Sequence, residues 1–121
     1  MSFFRIFDGN SWSLLENEKT LLTVCETEED GKIVIALSGI LRSDMQHVFM
    51  DELVALITLG KDILLDCKNL QYIANACQDS LLSVQQTADS LNRGTLTLRQ
   101  VPEKIYADFR ETNLNELLMI E

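Results

Sequence analysis

The side chains best equipped for chemistry are few and scattered. The single histidine, His47, stands between Gln46 and Val48. No carboxylate, serine or cysteine lies at a spacing that would tie it into a base or nucleophile pair. It reads as a solvent-facing helical residue. Cys25, Cys67 and Cys77 are odd in number and contain no C-x-x-C pair. They are expected to be buried, reduced thiols acting as small hydrophobes, not a disulfide framework or a zinc site. Cys67 and Cys77 flank a strand-to-helix connection and could approach each other. The five glycines fall singly, so no glycine-rich phosphate loop exists. These residues predict no enzyme, no metal and no cofactor.

One segment is more informative, Asp66-Cys67-Lys68-Asn69-Leu70-Gln71-Tyr72-Ile73-Ala74-Asn75. A buried strand is expected to leave through a polar loop, return with Tyr72 and Ile73, and launch a helix capped by Asn75. Asn75-x-x-Gln78 has the spacing of a capping box, and asparagine is among the best N-cap residues. The tip of such a helix carries free N–H groups and the positive end of the dipole, so a negative group there would be felt.

The elements that must position this tip follow from periodicity. Leu21 to Glu26 and Ile33 to Leu37 read as strands, joined by a hairpin at Asp30-Gly31. Ser43 opens a helix through a second capping box, Ser43-x-x-Gln46. Its apolar stripe is Met45, Phe49, Leu53 and Leu56, supported by Val48 and Ile57, and Gly60 stops it. Ile63-Leu64-Leu65 is apolar at every position, as a central strand covered on both faces would be. The helix from Asn75 carries Cys77, Leu81, Val84, Ala88 and Leu91 and ends at Asn92-Arg93-Gly94. Thr95 to Leu98 alternates like a strand. Pro102 suits the first turn of a third helix, ending near Asn113, and Leu117 to Ile120 forms a last short helix or strand. The order predicts an α/β fold with a small mixed sheet of four to five strands and helices packed on it.

Residues 1–20 read as an aromatic-rich extension ahead of a domain over 21–121. Phe3, Phe4, Phe7 and Trp12 are half of the chain's aromatic residues. They form either a flap over the core or a partner or dimer surface. The N-terminus is too short and too early broken by charge for a signal peptide. No apolar run approaches the ~20 residues of a membrane helix, so the expected compartment is the cytoplasm. A net charge of −9 repels phosphate backbones, which disfavours a nucleic-acid role and permits a basic protein partner.

In order and spacing, the chain from about Leu21 onward resembles the STAS domains (sulfate transporter and anti-sigma factor antagonist). The matching pieces are Leu37-Ser38-Gly39-Ile40-Leu41, Leu65-Asp66, Tyr72-Ile73, the start of the following helix, and Asn113-Leu114. The resemblance implies a non-catalytic module that binds an anti-sigma factor or a kinase-fold regulatory protein. In such antagonists an Asp-Ser pair opens the second helix, and phosphorylation of its serine ends the interaction. Those positions fall here on Ala74 and Asn75, and the glycine that usually follows becomes Cys77. An amide cannot accept phosphate, so the charge switch is expected to be absent at this position. The implied contact surface is Tyr72, Ala74, Asn75, Ala76, Gln78 and Asp79, with Ser43, Asp44 and His47 beside it. Other members of the family suggest two alternatives: a cytosolic subunit of a lipid or anion transport assembly, and a small-ligand sensor.

Overall fold

Asp30 (φ 52°) and Gly31 (φ 79°) make the predicted two-residue turn. Around it a hairpin forms that is longer than periodicity suggests, β3 (Lys19–Glu29) and β4 (Lys32–Leu41). A computed structural model describes residues 3–121, so Met1 and Ser2 of the N-terminal stretch lie outside the described residues. Two further strands precede the hairpin, β1 (Phe4–Asp8) and β2 (Ser11–Glu16). After β4 come a 3₁₀ turn (Ser43–Met45), α1 (Gln46–Thr58), β5 (Asp62–Ile73), α2 (Asn75–Leu91), β6 (Thr95–Arg99), α3 (Glu103–Glu111) and α4 (Leu114–Leu117).

The sheet has six strands among the described residues, not four to five, in the order β1-β2-β3-β4-β5-β6. The pairs up to β3–β4 are antiparallel, whereas β4–β5 and β5–β6 are parallel. The undercount came from the first twenty residues, where β1 and β2 form a hairpin in which Phe7 opposes Trp12. Its turn uses Gly9 (φ 62°) with Asn10, a weaker signal than Asp30-Gly31.

The core lies between the sheet and the helices. Trp12, Leu14, Leu22, Val24, Ile35, Leu37, Ile63, Leu65, Leu96 and Leu98 cover the helix-facing side. Met45 from the 3₁₀ turn and Phe49, Leu53 and Ile57 from α1 meet them, so the buried stripe steps by four and Leu56 only flanks it. From α2 come Cys77, Leu81, Val84 and Ala88, whereas Leu91, in the last turn, is exposed. α3 and α4 add Ile105, Phe109 and Leu114. Each such large apolar side chain contributes about 1.5–3 kcal/mol on burial.

Two thiols sit in this core and the third does not. Cys67 and Cys77 are buried, but Cys25 is only half-buried, on the sheet face away from the helices. All three are free. Burial, with a smaller push from Asp66, raises the Cys67 thiol to about 12, and burial with Asp44 raises Cys77 to about 11. The fold therefore favours the protonated thiols. Their contribution to stability is intact below the ordinary value of 9.0 and is lost as pH rises from there through 11 to 12, since only the unfolded chain ionises freely. Native protein at pH 8 should be alkylated by iodoacetamide at Cys25 first, with the other two roughly a hundredfold slower or more. Peptide mass mapping over time checks this, and equal rates at all three would contradict the packing.

Candidate functional site

β4 and β5 run parallel and end side by side, with Ile40 opposite Tyr72 and Leu41 opposite Ile73. Each feeds a helical turn directly, so the two strand-to-helix junctions are neighbours at the carboxyl ends of these interior strands. The Ala74 N–H donates to the Leu41 carbonyl at 2.8 Å and locks them together. The polar loop expected over Lys68 to Gln71 does not exist. β5 continues through these residues as a strand to Ile73, absorbing the mismatch with β4 in register shifts near Ser38 and Ile40. Within this stretch Leu70 and Ile73 stay in the core, while Lys68, Asn69, Gln71 and Tyr72 are exposed.

The predicted caps are also revised. The N-cap of α2 is Ala74, in extended conformation with no side-chain cap, and Asn75 is the first helical residue. The Ala74 carbonyl accepts from the N–H groups of Cys77 (2.9 Å) and Gln78 (3.0 Å). Gln78 does not close a capping box. It is buried, and its amide donates to the Ile73 carbonyl at 3.1 Å, tying the helix back to the strand. Ser43 likewise opens a 3₁₀ turn without a side-chain cap, and the Gln46 amide donates instead to the Ser80 hydroxyl on α2. Both glutamines sit at capping-box spacing, yet each serves a tertiary contact, which local spacing cannot reveal.

Of the predicted contact residues, Asn75, Asp79, Ser43 and His47 are exposed, Ala76 and Asp44 are half-buried, and Tyr72 presents its ring at 49% exposure. Ala74 and Gln78 are buried, so they shape this tip from beneath. Arg42, Ser43, Asp44, Tyr72 and Ala74 line a shallow depression between the two junctions. The structure thus brings the start of α2 together with the Ser43–Asp44 turn.

The electrostatic centre of this surface was not visible in the sequence. Arg42 donates to both carboxylate oxygens of Glu16 at 3.0 Å, and to Asp44 at 2.7 and 3.1 Å. Bidentate pairing is the strongest form of this contact. It holds Glu16 below the usual carboxylate range and makes the guanidinium harder to deprotonate, chiefly through the hydrogen bond between them. Arg42 also accepts, through its carbonyl, a contact from the Cys77 thiol at 3.4 Å. Glu16 comes from β2, across the sheet, so no spacing rule links it to Arg42. Two carboxylates and one guanidinium leave the surface mildly acidic, with an aromatic ring and an amide beside it. Such a surface can recognise a protein through polar and aromatic contacts, but it offers no nucleophile paired with a base.

A two-layer α/β module with a helix tip and a neighbouring turn displayed at the carboxyl ends of parallel strands defines a domain of the STAS type. The chain belongs to that family: residues 25–121 match the family described as Mlab, STAS domain. Among solved structures, an anti-sigma factor antagonist from Mycobacterium paratuberculosis superposes with a TM-score of 0.68 at 12% identity, covering 82% of this chain and 84% of that one. The protein TM1081 gives 0.70 at 17% identity over 79% and 78% of the two chains. The antagonist SpoIIAA in its unphosphorylated form gives 0.66 at 14% identity over 81% and 87%. These likenesses establish the shared fold. Among curated protein sequences no match is found.

Proposed function

We propose that this chain is a non-catalytic protein-binding module of the anti-sigma factor antagonist kind, lacking the usual phosphoryl switch at the tip of α2. The observation that carries this is Asn75. It is exposed on the first turn of α2, beside the Ser43–Asp44 turn, with an amide where the family resemblance places a phosphorylatable serine. The scaffold that presents such a tip is intact, while the hydroxyl that would take up the charge is absent. Binding is therefore set by the amount of the module, or by a control acting elsewhere. The partner is a kinase-fold anti-sigma factor or a related regulatory protein. It docks on Tyr72, Asn75, Ala76, Asp79, Ser43, Asp44 and His47, supported from beneath by Ala74 and Gln78.

The strand order supports binding over catalysis. An open α/β sheet forms a ligand crevice where its strand order reverses, and here the order runs from β1 to β6 without reversal. A tagged chain used for affinity capture in its native host should retain a kinase-fold protein. Tyr72→Ala should reduce that recovery at least tenfold, since a half-exposed aromatic at the centre of a contact commonly contributes more than about 1.4 kcal/mol. Capture lacking any kinase-fold protein, or one indifferent to Tyr72→Ala, would count against this assignment.

A further inference from the structure

We infer that the outer edge of β1 is a self-pairing surface, through which two copies of this chain join their sheets antiparallel about a two-fold axis at Ile6. The two edges of the sheet are treated differently by the chain. At β6 the C-terminal segment covers the edge: the Leu98 N–H donates to the Met119 carbonyl, and the Glu121 N–H to the Leu98 carbonyl, both at 2.8 Å. At β1 no described residue pairs with the outer side.

An open edge is ordinarily protected by lysine, proline, a bulge or an inward charge. β1 reads Phe4-Arg5-Ile6-Phe7-Asp8, without lysine or proline, and its pairing to β2 is regular. Its one cation, Arg5, lies on the helix-facing side but is already partnered there, so it does not guard the edge as an unpaired inward charge would. The Arg5 guanidinium stacks 4.0 Å from the Trp12 ring centre and 4.6 Å from that of Phe7, and pairs with Glu52 of α1. Phe4, Ile6 and Phe7 remain 74%, 51% and 67% exposed. Phe4 and Ile6 project from the face away from the helices and Phe7 from the helix-facing side, so the edge presents apolar surface to water on both faces.

Self-pairing is favoured over a foreign strand because one register pairs every residue of β1 with a residue of the second copy. A two-fold axis perpendicular to the sheet keeps each face on its own side, so only residues of like parity can oppose each other. An axis at Arg5 would set two guanidinium groups face to face. An axis at Phe7 would leave both Phe4 and Arg5 opposite no residue of the partner's β1. With the axis at Ile6 all five residues pair: Ile6 meets the partner's Ile6, Phe4 meets the partner's Asp8, and Arg5 meets the partner's Phe7, the kind of ring it already stacks on within the chain. The buried area is small for a permanent dimer, so association is weak and concentration-dependent. β1 lies four strands from β5, roughly 19 Å at ordinary strand spacing, so the tip of α2 stays free.

Sedimentation equilibrium of the full chain should show a dimer fraction that grows with concentration. Ile6→Lys, which sets two ammonium groups across the axis at an exposed position, should weaken it at least tenfold while circular dichroism stays unchanged. Ile6→Cys should form a disulfide-linked dimer under mild oxidation, because directly opposed strand residues lie within disulfide reach. Phe4→Cys, carrying the same native thiols, should not, since in this register the two positions are ~13 Å apart along the strands. Three results would overturn the inference: a wild-type chain monomeric up to millimolar concentration, Ile6→Lys sedimenting like wild type, or cross-linking at position 4 as efficient as at 6.

Discussion

Replacing Gly39 with alanine should destabilise the domain by about 3–5 kcal/mol, a large share of the stability of any small domain. Gly39 lies in β4 opposite Leu22, with φ of +110°, a conformation that side-chain-bearing residues rarely adopt. A Cβ built there would overlap the Leu21 carbonyl oxygen, and would also lie 3.1 Å from the Leu21 carbonyl carbon and 3.3 Å from Leu22 Cα. These are backbone atoms, fixed by the β3–β4 ladder, and they cannot rotate away as a side-chain tip would. The cost joins backbone strain of about 1–3 kcal/mol to overpacking of similar size. Gly31→Ala is the matched control, because its φ is also positive but nothing lies within 4 Å of its Cβ position. It should lose only about 1 kcal/mol. Urea titration followed by fluorescence of the sole tryptophan, buried Trp12, reads both variants. A Gly39→Ala chain within 1 kcal/mol of wild type would mean that the strands do not approach as described. The consequence reaches the proposed contact surface, since β4 leads two residues later into Leu41, whose carbonyl holds Ala74.

The second large effect is expected at Asn75. Asn75→Asp should weaken partner binding about ten- to a hundredfold, or 1.4–2.7 kcal/mol, and leave the fold almost untouched. At the first turn of α2 a carboxylate gains about 0.3–1 kcal/mol from the helix dipole. One turn on, Asp79 opposes it by a few tenths of a kcal/mol. Stability is thus nearly neutral, and any loss of binding reports on the contact itself. The new charge stands beside a surface that already carries Glu16 and Asp44 against a single Arg42. It would place a fixed charge where phosphorylation acts in the antagonists that the sequence resembles. Asn75→Ser should in turn create an acceptor: incubated with the captured kinase-fold partner and ATP, it should gain one phosphate by mass, whereas wild type should not at this position. Unchanged binding by Asn75→Asp, measured by calorimetry or by pull-down, would remove the tip of α2 from the interface.

Both predictions depend on features that differ in how visible they are from sequence. The Asp30-Gly31 turn, the stripe through Met45, Phe49 and Leu53, the buried run Ile63-Leu64-Leu65 and the left-handed Asn92 and Asn113 are all local matters of period, turn chemistry and φ. They were legible because each residue answers mainly to neighbours within a few positions. Ser38-Gly39 was legible only as part of a resemblance. Its physical cause, a carbonyl from the adjacent strand in the place of a side chain, becomes apparent once β3 and β4 are in register.

The chain's own residues determined the α/β class, the exposed amide at the second helix start, and the lack of a hydroxyl there. Tertiary structure alone decided that β1 and β2 extend the sheet, that Gln46 and Gln78 reach across elements instead of capping, and that Glu16 meets Arg42 and Asp44. It also decided which sheet edge is covered and which is left open. The reason is that local periodicity encodes which face of an element is apolar, whereas pairings between residues far apart in sequence depend on register and packing. Those are settled only when the whole core closes.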